Sequence, residues 1–188
     1  MSDWDAATAE WYAAKYGEYP TNRLAVDALD FATDATVVDV GCGTGAALRH
    51  VAKYVTSGAL LGIDPVPRMI ELAREKTSAH PASGPITFFE GSAEAIPLED
   101  ARADVVFAFD SFDHWSDKQA GLAEVRRILR PHGRFVVVKD GGLPHGKKVR
   151  QVFIDALQEA GFQVVHEQQL AEGKVTATLW TCAIADPV

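Results

Sequence analysis

The chain has 188 residues, 47% hydrophobic and 23% charged, which suits one soluble globular domain with a single sizeable core. Its formal net charge of −8 excludes broad phosphate-driven binding to nucleic acid, which needs a basic face. The two cysteines, Cys42 and Cys182, stand in no metal-type spacing, so no disulfide framework is expected and a reducing cytoplasm is the plain reading.

The opening MSDWDAATAEWY is acidic and lacks an apolar h-region, so the sequence predicts no signal peptide. No apolar run approaches the roughly 18–20 residues that cross a bilayer, and no membrane partner is expected. Residues 1–20 form an aromatic helical segment with Trp4, Trp11, Tyr12, Tyr16 and Tyr19. These rings either pack as a plain hydrophobic face or close as a lid over a ligand crevice. Pro20 separates them from a helix in TNRLAVDAL.

VVDV (37–40) reads as the first short buried strand. The helix ALRHVAKYV then sets Leu48, Val51, Ala52 and Val55 on one stripe, with Gly58 as its stop. ALLGID (59–64) is the second strand, followed by a helix through RMIELAREK with Met69, Leu72 and Ala73 inward. ITFFEG (86–91) and DVVFAFD (104–110) are the third and fourth strands. The helix KQAGLAEVRRILR buries Leu122, Val125 and Leu129, the turn RPHG ends it, and RFVVVKD (134–140) is the fifth strand. A last helix, VRQVFIDALQEAG, stops at Gly161, and QVVHEQQL and VTATLWTCAI form a hairpin about Glu172–Gly173.

Continuous Val/Ile/Phe strands separated by helices predict a parallel sheet covered on both faces. No helix separates the last two strands, so one of them runs antiparallel. The fold class is α/β, doubly wound: a mostly parallel seven-stranded sheet with a C-terminal antiparallel hairpin, in a single domain over 1–188.

In such sheets a ligand binds beyond the carboxyl ends of the strands, where strand order reverses. The loop after the first strand, GCGTG (41–45), lets the backbone turn sharply and approach a ligand without Cβ atoms in the way. The following helix N-terminus suits an anionic group. Asp64 ends the second strand, where its carboxylate accepts from a ribose diol; NAD-binding sheets carry an acid there too. Asp39 separates the two readings. A pyrophosphate would be repelled by an acid at the mouth of the strand, whereas an ammonium and a sulfonium would be attracted. The charge pattern therefore favours S-adenosylmethionine over NAD(P).

The motifs taken together resemble the class I S-adenosylmethionine-dependent methyltransferases, in particular the small type 11 domain group. VVDVGCGTG is similar to that family's first motif and LLGIDPVPRMIELARE to its ribose-binding segment. GSAEAIPLED resembles the adenine-side motif, DVVFAFDSFDHWSD the fourth-strand motif, and LRPHGRFVVV the turn into strand five. The resemblance covers roughly residues 35–188 and implies the Rossmann-like methyltransferase fold.

It also implies roles by position. Asp39, Gly41, Cys42 and Gly43 would lie along the methionine part, with Asp39 reaching the amino group. Asp64 would take the ribose hydroxyls, Val66 and Met69 would flank the adenine, and Ser92 and Ala93 would approach its edge. Asp110 would face the departing methyl group. Where the family often has aspartate this chain has Ser92, and Glu94 either compensates or is a solvated acid. Cys42 either gains reactivity at a helix N-terminus or is a small residue that fits.

Methyl transfer needs an aligned nucleophile and, where that is protonated, a base. His114 in FDHWSD, beside Asp110 and Asp113, is the candidate base; otherwise it caps a loop over a packed Trp115. Asp140 is a further candidate. His145, Lys147 and Lys148 either greet an anionic substrate or form a solvated loop. Trp11, Tyr12, Tyr16, Trp115 and His145 are thus the candidate substrate or lid residues. His50, His80, His132 and His166 show no ligand spacing, and no metal is expected. The sequence predicts a methyltransferase (EC 2.1.1.-) acting on a small molecule. The alternatives are a non-catalytic cofactor-binding module or partner subunit and, third, a NAD(P)-dependent oxidoreductase.

Overall fold

The computed structural model describes residues 4–79, 86–141 and 147–185, with the side chains of 147–149 set aside. Seven strands form one sheet: β1 (Thr36–Val40), β2 (Ala59–Asp64), β3 (Ile86–Glu90), β4 (Ala103–Phe109), β5 (Leu129–Asp140), β6 (Phe162–Glu172) and β7 (Val175–Ile184). Their order is β3-β2-β1-β4-β5-β7-β6. The first five are mutually parallel, and β7 runs antiparallel to both β5 and β6. The expected sheet, hairpin included, is therefore observed.

Among the described residues, six α-helices accompany it: α1 (Ala6–Tyr16), α2 (Pro20–Asp27), α3 (Ala46–Val51), α4 (Pro67–Ser78), α5 (Lys118–Ile128) and α6 (Lys147–Glu159). All five residues of β1 are buried, because alternate side chains feed opposite faces and both faces are covered. Val37 joins the core with Leu48, Val51, Leu60, Phe107 and Val136. Val38 and Val40 join the other, with Ile63, Val106, Leu122, Phe135 and Trp180.

Several boundaries shift by a residue or two, with Pro20 opening α2 rather than preceding it, and two differences affect packing. The helix after the glycine loop ends at Val51, yet Val55 stays fully buried in the turn that follows. Gly58 stops that segment by contact, since a Cβ there would lie 1.9 Å from the Ala35 carbonyl oxygen. The expected turn at RPHG is instead an irregularity within β5. Ala103 pairs with Leu129, and the ladder resumes at Val105 with Arg134, with His132 at φ +67° between. Leu129 is thus a strand residue, and Ile128 closes the apolar stripe of α5.

The strand order reverses between β1 and β4, so their C-terminal ends flank the predicted crevice. Helix α1 docks beside it. Asp5 caps that helix by accepting from the Thr8 N–H at 2.8 Å, and Ala9 and Ala13 pack on Val66 and Met69. Among the described residues, no helix is long and apolar enough to cross a membrane.

Candidate active site

The loop after β1 is shaped by three hydrogen bonds. The N–H groups of Gly41 and Cys42 both donate to the Ile63 carbonyl, at 2.8 and 3.0 Å. Ser111 Oγ donates to the Val40 carbonyl at 2.5 Å. Gly41 has φ +78°, and a Cβ there would sit 2.4 Å from the Ser111 Cβ, so both conformation and crowding demand glycine. Gly43 (φ +51°) is the opposite case. Nothing lies within 4 Å of where its Cβ would be, and that open space belongs to a cavity.

Asp64 is held from two sides. Its Oδ2 accepts from Gly43 N and its Oδ1 from Val66 N, each at 2.9 Å. Each oxygen keeps a second lone pair, and the residue lines the cavity. Burial pushes its carboxyl pKa up, against the lowering effect of the two N–H donors. Asp39 is more extreme. It is buried, its Oδ1 has no hydrogen-bond partner, and burial with the nearby Asp64 charge pushes it up to about 8. Unlike Gly41, Gly43 and Asp64, Asp39 borders neither cavity of the site, so its orphaned oxygen lies behind the cavity walls, and a cationic donor that reached it would satisfy it.

One cavity of about 710 Å³ gathers most of the sequence-predicted residues: Gly41, Gly43, Asp64, Val66, Met69, Ser92, Ala93, Asp110, His114 and Trp115. A second, of about 320 Å³, shares Tyr12, Gly41, Gly43, Phe109, Asp110 and His114 with it and adds Tyr16, Tyr19, Lys139 and Asp140. Cys42 borders only the second. Its sulfur packs near Gly62, and burial pushes its thiol well up, which argues for packing over reactivity.

Asp110 stands at the junction, with φ +51°, an uncommon conformation for a residue with a Cβ. Its Oδ1 accepts from Asp140 N at 2.6 Å, while burial raises its carboxyl pKa. His114 ends a 3₁₀ turn (Phe112–His114) and borders both cavities. Trp115 is buried, stacked near Phe112 and Phe135, and its Nε1 has no partner. Glu94 is not a free surface acid, since its Oε1 accepts from Asp117 N at 3.0 Å at the cavity wall.

The aromatic segment divides. Tyr12 borders both cavities, Tyr16 the second, and Trp4 the first. Trp11 corrects the expectation: it is 58% exposed, packs edge-on against Tyr16 under the Lys15 ammonium, and borders neither cavity. Its place on the outer face of α1 turns it to solvent. His145 lies outside the described residues.

Sequence reasoning missed the residues that hold the loop from behind. Thr44 Oγ1 donates to the Gly17 carbonyl at 2.6 Å, tying the end of α1 to the glycine loop. The buried Arg49 donates to the Thr44 carbonyl and to Glu18, both at 2.5 Å. Ser111 was also passed over. The available signal was a lone charge, Arg49, in an otherwise apolar helix, but periodicity assigns such a residue to solvent.

The family model described as a methyltransferase domain matches residues 38–137, from within β1 to within β5. The chain belongs to the methyltransferase domain family. Its match to a demethylmenaquinone methyltransferase of Deinococcus radiodurans is 38% identical over 103 residues, 55% of this chain and 42% of that protein. With the O-methyltransferase cnsE of Penicillium expansum it is 28% identical over 185 residues, covering 90% of this chain and 66% of the other. The crystal structure of a SAM-dependent methyltransferase from Aquifex aeolicus superposes with a TM-score of 0.79 at 21% identity, covering 97% and 100% of the two chains. The alignments take in less than two thirds of the first curated relatives, between 32% and 50% of them. Membership in a methyltransferase family decides between the two cofactor readings for S-adenosylmethionine and against NAD(P).

Proposed function

We propose that this methyltransferase-domain chain transfers the methyl group of S-adenosylmethionine to a small-molecule acceptor. The observation that carries the reading is convergence: residues from the ends of β1, β2 and β4 and from the segment after β3 meet in one cavity. The cofactor, when bound, supplies a methyl group on a positively charged sulfur. Asp39, Gly41 and Gly43 are assigned to its methionine part, and the free lone pairs of Asp64 to the ribose hydroxyls. Val66 and Met69 are assigned to one face of the adenine, and Ser92 and Ala93 to its edge.

The second cavity is assigned to the acceptor, with Tyr12 and Tyr16 as cover. Asp110 and His114 border both cavities, so either can orient an acceptor and take its proton. Relatives named demethylmenaquinone methyltransferase and ubiquinone/menaquinone biosynthesis C-methyltransferase support a small molecule here. A reducing, cytoplasmic setting fits the two buried free thiols.

Calorimetric titration with S-adenosylmethionine, S-adenosylhomocysteine and NAD tests the reading. Micromolar binding of the first two and none of NAD is expected; binding of NAD alone would overturn it. Asp64→Ala is expected to weaken cofactor binding roughly ten- to a hundredfold, as hydrogen bonds to a charged group contribute about 1.5–3 kcal/mol. Unchanged affinity in a folded variant would refute the ribose assignment. His114→Ala is expected to slow methyl transfer at near-constant cofactor affinity, and an unchanged rate would remove the base role. Cofactor binding with no transfer to any acceptor would favour the non-catalytic module.

A further inference from the structure

A third hollow opens behind Asp110, between α6 and the 3₁₀ turn, and no assignment above uses it. It measures about 150 Å³. Phe112, Phe153 and Trp180 supply aromatic walls beside Val137, Val138 and Ala156, and Lys118 and Arg150 border it as well. The rings are mutually packed, Phe112 on Phe153 at 5.4 Å and Phe153 on Trp180 at 5.0 Å between centroids. Apolar cavities of roughly this volume hold a single benzene ring.

Its rim is polar on the side that faces the site. Asp110 borders this slot and both larger cavities, so the slot adjoins the place where transfer would occur. Lys139 borders the slot and the second cavity. Its ammonium directs one hydrogen at Asp113 and keeps two to offer. The slot thus combines aromatic walls and a one-ring volume with charged side chains of both signs, Lys139 and Asp110 being the two it shares with the second cavity.

We infer that this slot seats the aromatic ring of the methyl acceptor, with the ring's polar substituent at the mouth between Asp110 and Lys139. The assignment rests on the methyltransferase reading and deepens it, naming the acceptor class as a hydroxylated single-ring aromatic. Aliphatic metabolites would leave the aromatic walls without a ring to pack against. Extended fused ring systems would exceed its volume.

The test uses the full chain with its indole nitrogens labelled, phenol as probe, and S-adenosylhomocysteine binding measured separately by calorimetry. The sequence has four tryptophans, and Trp→Phe variants assign their indole signals. Phenol is expected to shift the Trp180 signal saturably and leave Trp11 unmoved. Ala156→Phe, which fills the slot, is expected to weaken that response at least tenfold while S-adenosylhomocysteine affinity stays within twofold. Phe153→Ala, which removes a wall instead, is expected to weaken it as well. An unmoved Trp180 signal at tens of millimolar phenol overturns the inference, whatever the variants do. So does a response confined to Trp4 and Trp115, which would put the ring in the cofactor cavity. A Trp180 response without any S-adenosylhomocysteine binding would overturn the acceptor role by way of the methyltransferase reading, leaving only a ring-binding slot.

Discussion

Asp39 concentrates the energetics of the site in one residue. In the folded chain its carboxyl is pushed up to about 8 by burial and by Asp64. In the unfolded chain a carboxyl titrates near 4. Between those values the folded state holds a proton that the unfolded state has lost, so stability falls as pH rises through this window and levels off above it. Asp39→Asn removes the titration. The ligand-free variant is expected to be more stable at pH 8 by on the order of 2 kcal/mol, and its melting temperature is expected to vary less between pH 5 and pH 8. Calorimetric unfolding of both chains across that range checks this, and equal slopes would sink it. The same variant is expected to bind S-adenosylmethionine at least tenfold more weakly. Wild-type affinity is expected to climb toward pH 8, because the cationic cofactor needs the ionised carboxylate.

At the scale of elements, the glycine loop depends on how α1 and α2 are tied to α3. Thr44 holds the Gly17 carbonyl, and Arg49 joins the Thr44 carbonyl to Glu18. Arg49→Met keeps most of the buried volume but leaves the Thr44 carbonyl short of a donor. The expected cost is about 1–3 kcal/mol of stability, with weaker cofactor binding. Glu18 is half exposed, so its lost partner adds little. Unfolding in urea with parallel calorimetry measures both effects, and an unchanged variant would mean the loop holds its shape unaided. This tie also marks the limit of what the sequence made legible. The strands were readable because buried parallel strands are runs of Val, Ile and Phe, as in β1, β2 and β4. The cavity-lining residues Gly41, Gly43 and Asp64 were readable because they sit at or just past strand ends. Arg49, Thr44 and Ser111 were not, because their importance lies in contacts with Glu18, Gly17 and Val40, which no period encodes. Trp11 and Trp4 exchanged roles for the same reason: composition marks the segment as aromatic, and only the docking of Ala9 and Ala13 on α4 decides which rings turn inward.

At the scale of the whole molecule, left-handed Ala101 and His132 and the unpartnered Trp180 Nε1 lie elsewhere, but the acidic residues that break local rules gather at one edge of the sheet. Asp39 carries an orphaned oxygen, Asp64 is an acid raised by burial, and Asp110 has a left-handed backbone, all at the ends of β1, β2 and β4. Each lowers the stability of the ligand-free chain, and the first two are relieved by a partner bearing positive charge or hydroxyl donors. A ligand that binds only the folded chain stabilises it by about 2.7 kcal/mol at a hundredfold excess over Kd. For a domain of this length that corresponds to a rise of roughly 5–10 °C in melting temperature. S-adenosylhomocysteine is therefore expected to raise the melting temperature by that much, and Asp64→Ala is expected to lose most of the rise. If the variant instead melts several degrees lower without ligand and keeps the full rise, Asp64 serves the loop by holding Gly43 and Val66, and the ribose must find its acceptor elsewhere.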